Sequence, residues 1–392
     1  EKVELTFWRA GTDTLETEYW ERVIEEFESK NPNISVALTS IPWGNDIETK
    51  LNAAYISNTA PDVISYSIAS VAARASMGHY ASLDKYVANW EGKDNMVEKV
   101  LNAGVYDGQV YGLGFIPDPR IFVWRKDYFR EAGLDPEKPP TTWEELRDYA
   151  IKLTVKEGGA TTRAGFHFKS EVNNGDAAQD WQSFALQNGS GIIDTDNHVA
   201  LFADDAGIEA AEFLADLAMQ GVTFMGKQDQ DPFTAGKSAM TYANPGTVRA
   251  LINDQPELKD EIGYGLPVQK LQNATFAGLR LMFMGSKTKQ SDAAWKFIEH
   301  TLSEEETWKR YEQMEVPVVL NSLKDRYIQD NPIINGAIYE GVEVGQGYPR
   351  VPYSFTYMEI ISRALQQAYY GDKPAREAFL EAKAEFERQL PD

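Results

Sequence analysis

Three predicted β-strands near the start of the chain end in aromatic side chains or are followed by one. Trp8-Arg9 closes the first strand, Trp43 follows the second, and Tyr66-Ser67 closes the third. Aromatic planes can stack on the C–H faces of a ring-shaped ligand, while hydroxyl and guanidinium groups donate hydrogen bonds to its polar atoms. The same aromatics could instead pack in a core, and the 12% aromatic content taken alone favours that interpretation.

The elements that must position these residues alternate between strand and helix. Strands are predicted at 3–8, 34–41 and 63–66. Between them, apolar residues at helical spacing predict two helices, the first of them capped by Asp13 with Glu16. This order implies a largely parallel sheet flanked by helices, in which ligands bind at the carboxyl ends of the strands. The aromatic residues therefore fall where a ligand is expected.

The later part of the chain continues the alternation with fewer chemical signals. Ser303 with Glu306 forms a capping box that predicts a helix start. The apolar run 316–320 predicts a strand, and 357–370 and 375–390 predict terminal helices. No internal repeat or low-complexity tract interrupts this order.

Nucleotide-binding motifs are incomplete. Gly236-Lys237-Ser238 resembles the end of a phosphate-binding loop, but Asp231 stands where the loop requires glycine. None of the Gly-x-Gly pairs has a glycine three positions after its second member, as a dinucleotide fingerprint requires. These pairs are Gly112/Gly114, Gly189/Gly191, Gly263/Gly265 and Gly345/Gly347.

Metal and catalytic motifs are also incomplete. The four histidines (His79, His167, His198 and His300) lack metal-ligand spacing, and the chain has no cysteine. Asp194-x-Asp196 begins like a calcium loop, but Val199 occupies the glycine position, so a hairpin turn is the favoured interpretation. A glycosidase pair of carboxylates stays open, because such a pair needs geometry rather than a motif.

Composition restricts the partners. The 392 residues suffice for two or three domains, and 38 basic against 60 acidic residues give a net charge of −22. That charge disfavours nucleic acid and anionic membrane surfaces as partners. No apolar run approaches the roughly 18 residues of a membrane span. Because Glu1-Lys2 leads straight into a strand, we expect the sequence to be a mature or trimmed form.

Six short segments give the chain a specific pattern. They are 27–34 with Asn31-Pro32, 61–63, 107–112, 124–129, 139–146 and 233–240. Their order and spacing resemble the extracellular solute-binding proteins of carbohydrate ABC importers, the family 1 group similar to maltose-binding protein. Arg125 stands where that family usually has asparagine, and 244–247 lacks the tryptophan that many of its sugar-binding members carry there.

The resemblance implies a two-lobed α/β fold of the type II periplasmic-binding-protein kind, with a mainly parallel sheet flanked by helices in each lobe and a ligand cleft between the lobes. It places one lobe at 1–117 and 268–316 and the other at 118–267 and 317–392. It implies a monomeric carrier, not an enzyme, that captures a mono- or oligosaccharide by hinge closure without a cofactor and delivers it to ABC transporter permease subunits. The expected location is periplasmic or extracellular, with a lipid anchor in a Gram-positive cell.

The resemblance also suggests binding residues beyond the strand ends. Asp118 occupies a crossing segment where relatives often direct a carboxylate toward sugar hydroxyls, although a solvated turn would also explain it. Asp180 ends a polar loop of the second lobe, Trp181 follows that loop, and Asn244 begins the segment without tryptophan. Trp181 is a stacking candidate or a core residue with equal plausibility. Tyr353 belongs to an aromatic loop that serves relatives as a sugar platform.

Four arginines lie at or near segments that should face the ligand: Arg9, Arg120, Arg280 and Arg350. Two or more of them together could clamp a carboxylate or a phosphate, which would indicate a uronic-acid oligosaccharide or a polyol phosphate. Arginine also donates to neutral hydroxyl groups and stacks on aromatic rings, and we favour a neutral sugar.

Overall fold

Local sequence sets the first helix, α1 (Thr14–Lys30). Asp13 has extended backbone, and its side chain accepts a hydrogen bond from the backbone N–H of Glu16, which caps the helix as predicted. Trp20 and Phe27 lie on the buried face at helical spacing. The helix therefore docks on the sheet through the side that the sequence pattern indicated.

The computed structural model describes residues 2–172, 175–195, 197 and 199–390. Its strands are β1 (Val3–Ala10), β2 (Ile34–Ile41), β3 (Val63–Ser67), β4 (Val105–Tyr106), β5 (Gln109–Val110), β6 (Gly112–Pro119), β7 (Ile121–Arg125), β8 (Val155–Glu157), β9 (Ala160–His167), β10 (Ile193–Asp194), β11 (Val199–Ala200), β12 (Ser238–Ala243), β13 (Ile262–Gly265), β14 (Thr275–Met284) and β15 (Gly345–Gln346). The helices after α1 are α2 (Asn45–Ser57), α3 (Ser70–Ser76), α4 (Asp84–Val87), α5 (Glu98–Ala103), α6 (Lys126–Glu131), α7 (Trp143–Leu153), α8 (Asp176–Gln187), α9 (Asp205–Met219), α10 (Pro245–Asp254), α11 (Ser291–Thr301), α12 (Glu304–Met314), α13 (Lys324–Asp330), α14 (Pro332–Val344), α15 (Ser354–Tyr369) and α16 (Ala375–Glu387).

The chain divides into two units. Unit 1 comprises Glu1–Asp118, Gly278–Asn331 and Arg350–Ser354, and unit 2 comprises Pro119–Ala277, Pro332–Pro349 and Phe355–Asp392. The chain therefore leaves unit 1 at the end of β6 and returns to it within β14 at Gly278, whereas the resemblance implied a return at 268. Each unit has its own sheet and helices.

The sheet of unit 1 follows the predicted parallel order. β1 pairs in parallel with β2 on one side and with β3 on the other, so that Arg9 lies opposite both Ser40 and Ser65. β14 runs antiparallel to β3, and β6 pairs with β14. The carboxyl ends of β1, β2 and β3 thus form one edge, and we call it the unit 1 edge.

An aromatic cluster holds α1 against this sheet. The ring of Trp20 lies 4.7 Å from that of Phe7 and 5.5 Å from that of Phe115, in edge-to-face arrangements. Phe297 on α11 contacts both Phe7 and Phe27, at 5.3 and 5.1 Å. Edge-to-face pairs of this kind contribute about 0.5–1.5 kcal/mol each beyond the area they bury. The cluster fixes the position of α1 and therefore of the residues in its first turn.

The sheet of unit 2 has the order β13-β7-β12-β9-β8. Within this five-stranded sheet, as far as its residues are described, only β9 and β12 pair in parallel, which corrects the expectation of a mainly parallel sheet in this unit. The tight turn at Gly158-Gly159 explains part of the difference, because so short a connection can join only antiparallel strands. The α/β fold class itself is confirmed.

Two further observations concern the strand predicted at 316–320 and the character of the helices. The predicted strand at 316–320 is wrong, because only Leu320 forms an isolated bridge, with Met96. No helix within the described ranges combines the length and the apolar character that crossing a membrane requires.

Gly165→Ala should destabilise unit 2, and Gly336→Ala should not. A Cβ on Gly165 in β9 would lie 1.8 Å from the carbonyl oxygen of Ala150 on α7, so strand and helix would have to separate. We expect a loss of about 1–3 kcal/mol in the free energy of unfolding, measured by chemical denaturation. A Cβ on Gly336 in α14 meets no atom within 4 Å, and alanine should leave stability equal or slightly higher. Equal stability of the two variants would contradict this packing.

Candidate functional site

The unit 1 edge brings four of the predicted residues together. Trp43 follows β2 with 39% of its surface exposed, and its ring centroid lies 5.8 Å from that of Tyr66. Ser67 at the end of β3 lies opposite Arg280 of β14. The guanidinium carbon of Arg280 lies 5.6 Å from the Trp43 ring centroid. An exposed aromatic ring and two hydrogen-bond donors therefore share one surface.

Tyr66 supports this surface rather than forming it. Its side chain is only 2% exposed, which corrects the prediction of a second open stacking platform. Burial raises the pKa of Tyr66 well above its usual value, and nearby Glu48 raises that pKa further. Glu48 is itself held by Arg74 at 2.7 Å. Trp43 is thus the side chain of the pair with a face open to a ligand.

Arg9 lies beneath the edge, fully buried, with a partner at every nitrogen. Nε donates to Ser40 Oγ at 3.0 Å, and Nη2 donates to the Asp13 carbonyl at 2.9 Å and to Thr17 Oγ1 at 2.7 Å. Nη1 lies 3.2 Å from a carboxylate oxygen of Glu16. Burial lowers the pKa of Arg9, and Asp13 opposes that effect. The predicted direct contact with ligand is therefore corrected to a supporting role.

Glu16 is the residue that the sequence reading assigned only to a helix cap. Its carboxylate is buried and pairs with Arg280 as well as with Arg9, while the Trp20 indole N–H donates to it at 3.1 Å. The signal was present in the sequence, because Glu16 extends the buried stripe of Trp20, Val23 and Phe27 by one turn. A carboxylate on that stripe needs a buried cation.

Arg280 is the more accessible of the two arginines, with 29% of its side chain exposed. Burial lowers the pKa of Arg280 to about 10, Asp13 opposes the effect and Arg9 adds to it. The two guanidinium groups face the two carboxylates of Asp13 and Glu16. Each guanidinium group at this edge therefore lies beside a carboxylate.

Asp118 lies near the same edge at the end of β6. A Cβ placed on Gly278 would be 3.5 Å from its Oδ2. Because Gly278 is two residues before Arg280 on β14, the carboxylate of Asp118 packs against the strand that carries the partly exposed Arg280. The glycine permits this close approach.

Arg350 and Tyr353 occupy a second location in unit 1. Arg350 donates to the carbonyl oxygens of Asn102 and Val105, the latter at 3.1 Å, beside the hairpin of β4 and β5. Burial raises the pKa of Tyr353, and Tyr106 of that hairpin raises it further. These two predicted residues thus group with the hairpin and not with Trp43.

In unit 2, Arg120 and Asp180 lie in one polar cluster. Asp180 on α8 is buried and accepts the backbone N–H of Lys169 at 2.8 Å, and Arg120 donates to Gln179 on the same helix. Burial raises the pKa of Asp180 to about 6, while the charges of Lys169 and Arg120 oppose that rise and Asp176 adds to it. Lys169 also pairs with Asp176 at 3.1 Å.

Trp181 and Asn244 have structural roles. Trp181 is 0% exposed, its indole N–H donates to the Gly207 carbonyl at 3.0 Å, and its ring lies 5.2 Å from that of Phe379. Its predicted role in stacking is therefore wrong, since no ring face is left for a ligand. The Asn244 side chain caps α10 by accepting the Thr247 N–H at 2.8 Å.

The histidines have ordinary packing roles where they are described. His79 stacks on Tyr55 with ring centroids 3.8 Å apart, and His167 hydrogen-bonds Thr223 at 3.0 Å. Asp196 and His198 lie outside the described residues. Within the described ranges, His, Asp and Glu form no group of three that could hold a metal ion.

The fold and the edge define a class, the two-unit α/β binding proteins. The family of bacterial extracellular solute-binding proteins matches residues 22–336. The chain belongs to this family, which is one of binding proteins rather than enzymes, and the resemblance read from its motifs is confirmed.

Individual proteins show the same relationship. The sn-glycerol-3-phosphate-binding periplasmic protein UgpB of Escherichia coli strain K12 is 24% identical over 304 residues, covering 73% of this chain and 67% of the relative. A solute-binding protein of an ABC transporter from Thermotoga lettingae, solved with α-D-tagatose, has a TM-score of 0.88 and 23% identity over 99% of each chain. The GacH receptor of Streptomyces glaucescens, solved unliganded and with acarbose, has a TM-score of 0.86 and 21% identity over 100% of this chain and 99% of its own.

Asp180→Asn should change how stability depends on pH. A buried carboxyl whose pKa rises to about 6 on folding stabilises the folded state below its unfolded pKa near 4, and this contribution disappears as pH rises through 6. The stability of Asp180→Asn relative to the parent should therefore increase by up to roughly 3 kcal/mol between pH 4 and pH 7. Chemical denaturation at both pH values measures the difference.

Two features make this measurement specific. Burial lowers the pKa of His167 to about 4, which acts in the opposite direction over the same pH range but cancels in the comparison of variant with parent. Asp176→Asn removes a carboxylate that is 34% exposed from the same helix and should show a smaller change. A difference for Asp180→Asn that does not vary with pH would contradict the burial of a titrating carboxyl here.

Proposed function

We propose that this protein captures a neutral mono- or oligosaccharide and delivers it to an ABC importer. One observation carries the proposal: the unit 1 edge presents the exposed ring of Trp43 next to Ser67 and to Arg280, whose charge is already paired with Glu16. Sugar rings have apolar C–H faces that stack on an indole and hydroxyl groups that bond with guanidinium, hydroxyl and carboxylate groups. Asp118 would supply the carboxylate.

A polyol phosphate or a uronic-acid oligosaccharide is the second candidate. The relationship to the sn-glycerol-3-phosphate-binding protein favours it, and Arg280 is accessible enough to contact an anion. A phosphate, however, needs cations that are not already neutralised, and Asp13 and Glu16 compensate the two arginines of this edge. We therefore place the neutral saccharide first.

The charges in the polar cluster of unit 2 lead to the same preference. Arg120 and Lys169 there face Asp176 and Asp180, again two cations against two carboxylates. In each of these two clusters, the cations lie beside carboxylates. The tagatose and acarbose complexes of the two structural neighbours are consistent with a sugar as cargo.

The remaining parts of the proposal follow from the family. The carrier would act as a monomer, close its two units over the cargo by a hinge motion, and then dock on the permease subunits of its importer. It would do so outside the cytoplasmic membrane, in the periplasm or as a lipid-anchored protein of the cell surface. A glycoside hydrolase is the less favoured alternative, which glycan cleavage would reveal.

A thermal-shift panel tests the cargo class directly. Neutral mono- and oligosaccharides, uronic-acid oligosaccharides and sn-glycerol 3-phosphate are added in parallel to the purified protein. A ligand that binds the folded state raises its melting temperature by mass action, so at 100 times its Kd a neutral sugar should add about 2.7 kcal/mol of stability. Chromatography of the same mixtures checks for cleavage. A shift with sn-glycerol 3-phosphate but with no sugar would overturn the preference.

Trp43→Ala should weaken binding of whichever saccharide the panel identifies. Loss of the stacking face should raise the Kd of that saccharide about tenfold or more, which is a loss of roughly 1.4 kcal/mol in binding free energy, measured by calorimetric titration. Trp308→Ala is the matched control, because Trp308 on α12 is also partly exposed. The guanidinium carbon of Arg326 on α13 lies 3.5 Å from the centroid of its ring. Equal affinity of the two variants would remove Trp43 from the site.

A further inference from the structure

We propose that Glu16 determines the charge preference of the unit 1 edge by neutralising Arg280. The inference rests on the proposed function, since it concerns the same binding surface. It assigns a specificity-determining role to a residue that is buried beneath the surface. According to this proposal, the edge excludes anionic ligands because Arg280, its accessible cation, is already paired with the buried carboxylate of Glu16.

The geometry makes Glu16 the shared partner of both arginines. One carboxylate oxygen, Oε2, contacts Arg9 at 3.2 Å and also accepts from Arg280. The other, Oε1, accepts the Trp20 indole N–H. The carboxylate is thus fixed on three sides, and it lies directly behind the guanidinium group that faces Trp43.

The two carboxylates of the edge are not equivalent. The Asp13 side chain is 56% exposed and lies 3.4 Å from Arg9, whereas that of Glu16 is 3% exposed. A solvent-exposed ion pair is strongly screened by water, whereas a buried one is screened much less. Asp13 also opposes the lowering of the Arg280 pKa, but the direct contact with Arg280, and the one shielded from water, is that of Glu16.

Removing the charge of Glu16 should convert Arg280 into an anion-binding group. Glu16→Gln keeps the size of the side chain and an oxygen that can accept from Trp20, but removes the carboxylate that contacts both Arg9 and Arg280. Leaving buried cations without a partner is unfavourable, and an anion bound at Arg280 relieves it. Arg280 is the group that an anion can reach, because Arg9 is fully buried.

Calorimetric titration with inorganic sulfate, at constant ionic strength balanced by chloride, tests the inference without any sugar. We expect Glu16→Gln to bind sulfate at least about tenfold more tightly than the parent, the size of effect typical of a charge-assisted hydrogen bond. Asp13→Asn is the matched control, because asparagine also caps a helix and the change removes one charge from the same edge. It should gain less than Glu16→Gln does. The double variant Glu16→Gln with Arg280→Gln should lose the gain.

Each outcome of this experiment decides something. Unchanged sulfate affinity in a folded Glu16→Gln protein, or an equal gain in Asp13→Asn, overturns the role of Glu16. If Glu16→Gln does not fold, Glu16→Asp withdraws the carboxylate by one methylene, and a gain of about threefold supports the inference whereas no gain overturns it. The saccharide panel on the parent protein is read separately, so a parent that binds no sugar removes the proposed function without affecting the sulfate result.

Discussion

A guanidinium group taken out of water must be surrounded by acceptors, and the burial of Arg9 imposes this requirement on unit 1. Its partners come from the neighbouring strand β2, from the residue that caps α1 and from the first turn of α1 itself. The Arg9 side chain therefore links β1, β2 and α1 at the carboxyl ends of the strands, which is the edge proposed to bind a ligand. The position of the edge follows from satisfying this one buried charge.

The support extends from Arg9 outward to the exposed ring. Gly11 follows β1 with φ of 108°, a conformation that glycine adopts without strain, and a Cβ there would lie 2.9 Å from Trp43 Nε1 and 3.2 Å from Arg9 Nη1. The indole therefore rests against backbone that the buried arginine also contacts. Glu16 extends the same support to Arg280. Trp43 and Arg280, the groups proposed to contact a ligand, are thus positioned by buried groups that do not contact it.

The sequence predicted the strand ends of unit 1 well, because period-two alternation and parallel order together determine where β1, β2 and β3 end. Trp43 and Ser67 are accordingly found at one edge, and β14 brings Arg280 beside them. The predictions from sequence failed where the direction of a side chain depends on tertiary packing. Trp181 follows a polar loop but turns into the core on α8, and Glu16 looked like a capping residue until the buried arginines gave it another partner. Neither outcome could be read from spacing alone.

The pairing of Arg9 and Arg280 with Glu16 affects which cargo the unit 1 edge can select. If each accessible cation is already paired, binding energy must come from stacking and from hydrogen bonds to hydroxyl groups, which are individually modest and depend on shape. The net charge of −22 acts in the same direction at longer range, because it repels anions before they reach the edge. A surface of this kind discriminates by the pattern of hydroxyl groups on the ligand rather than by its charge. Under the proposed function, selectivity for one sugar over another would depend on the rigid placement of Trp43, which rests against the backbone at Gly11 beside the buried Arg9.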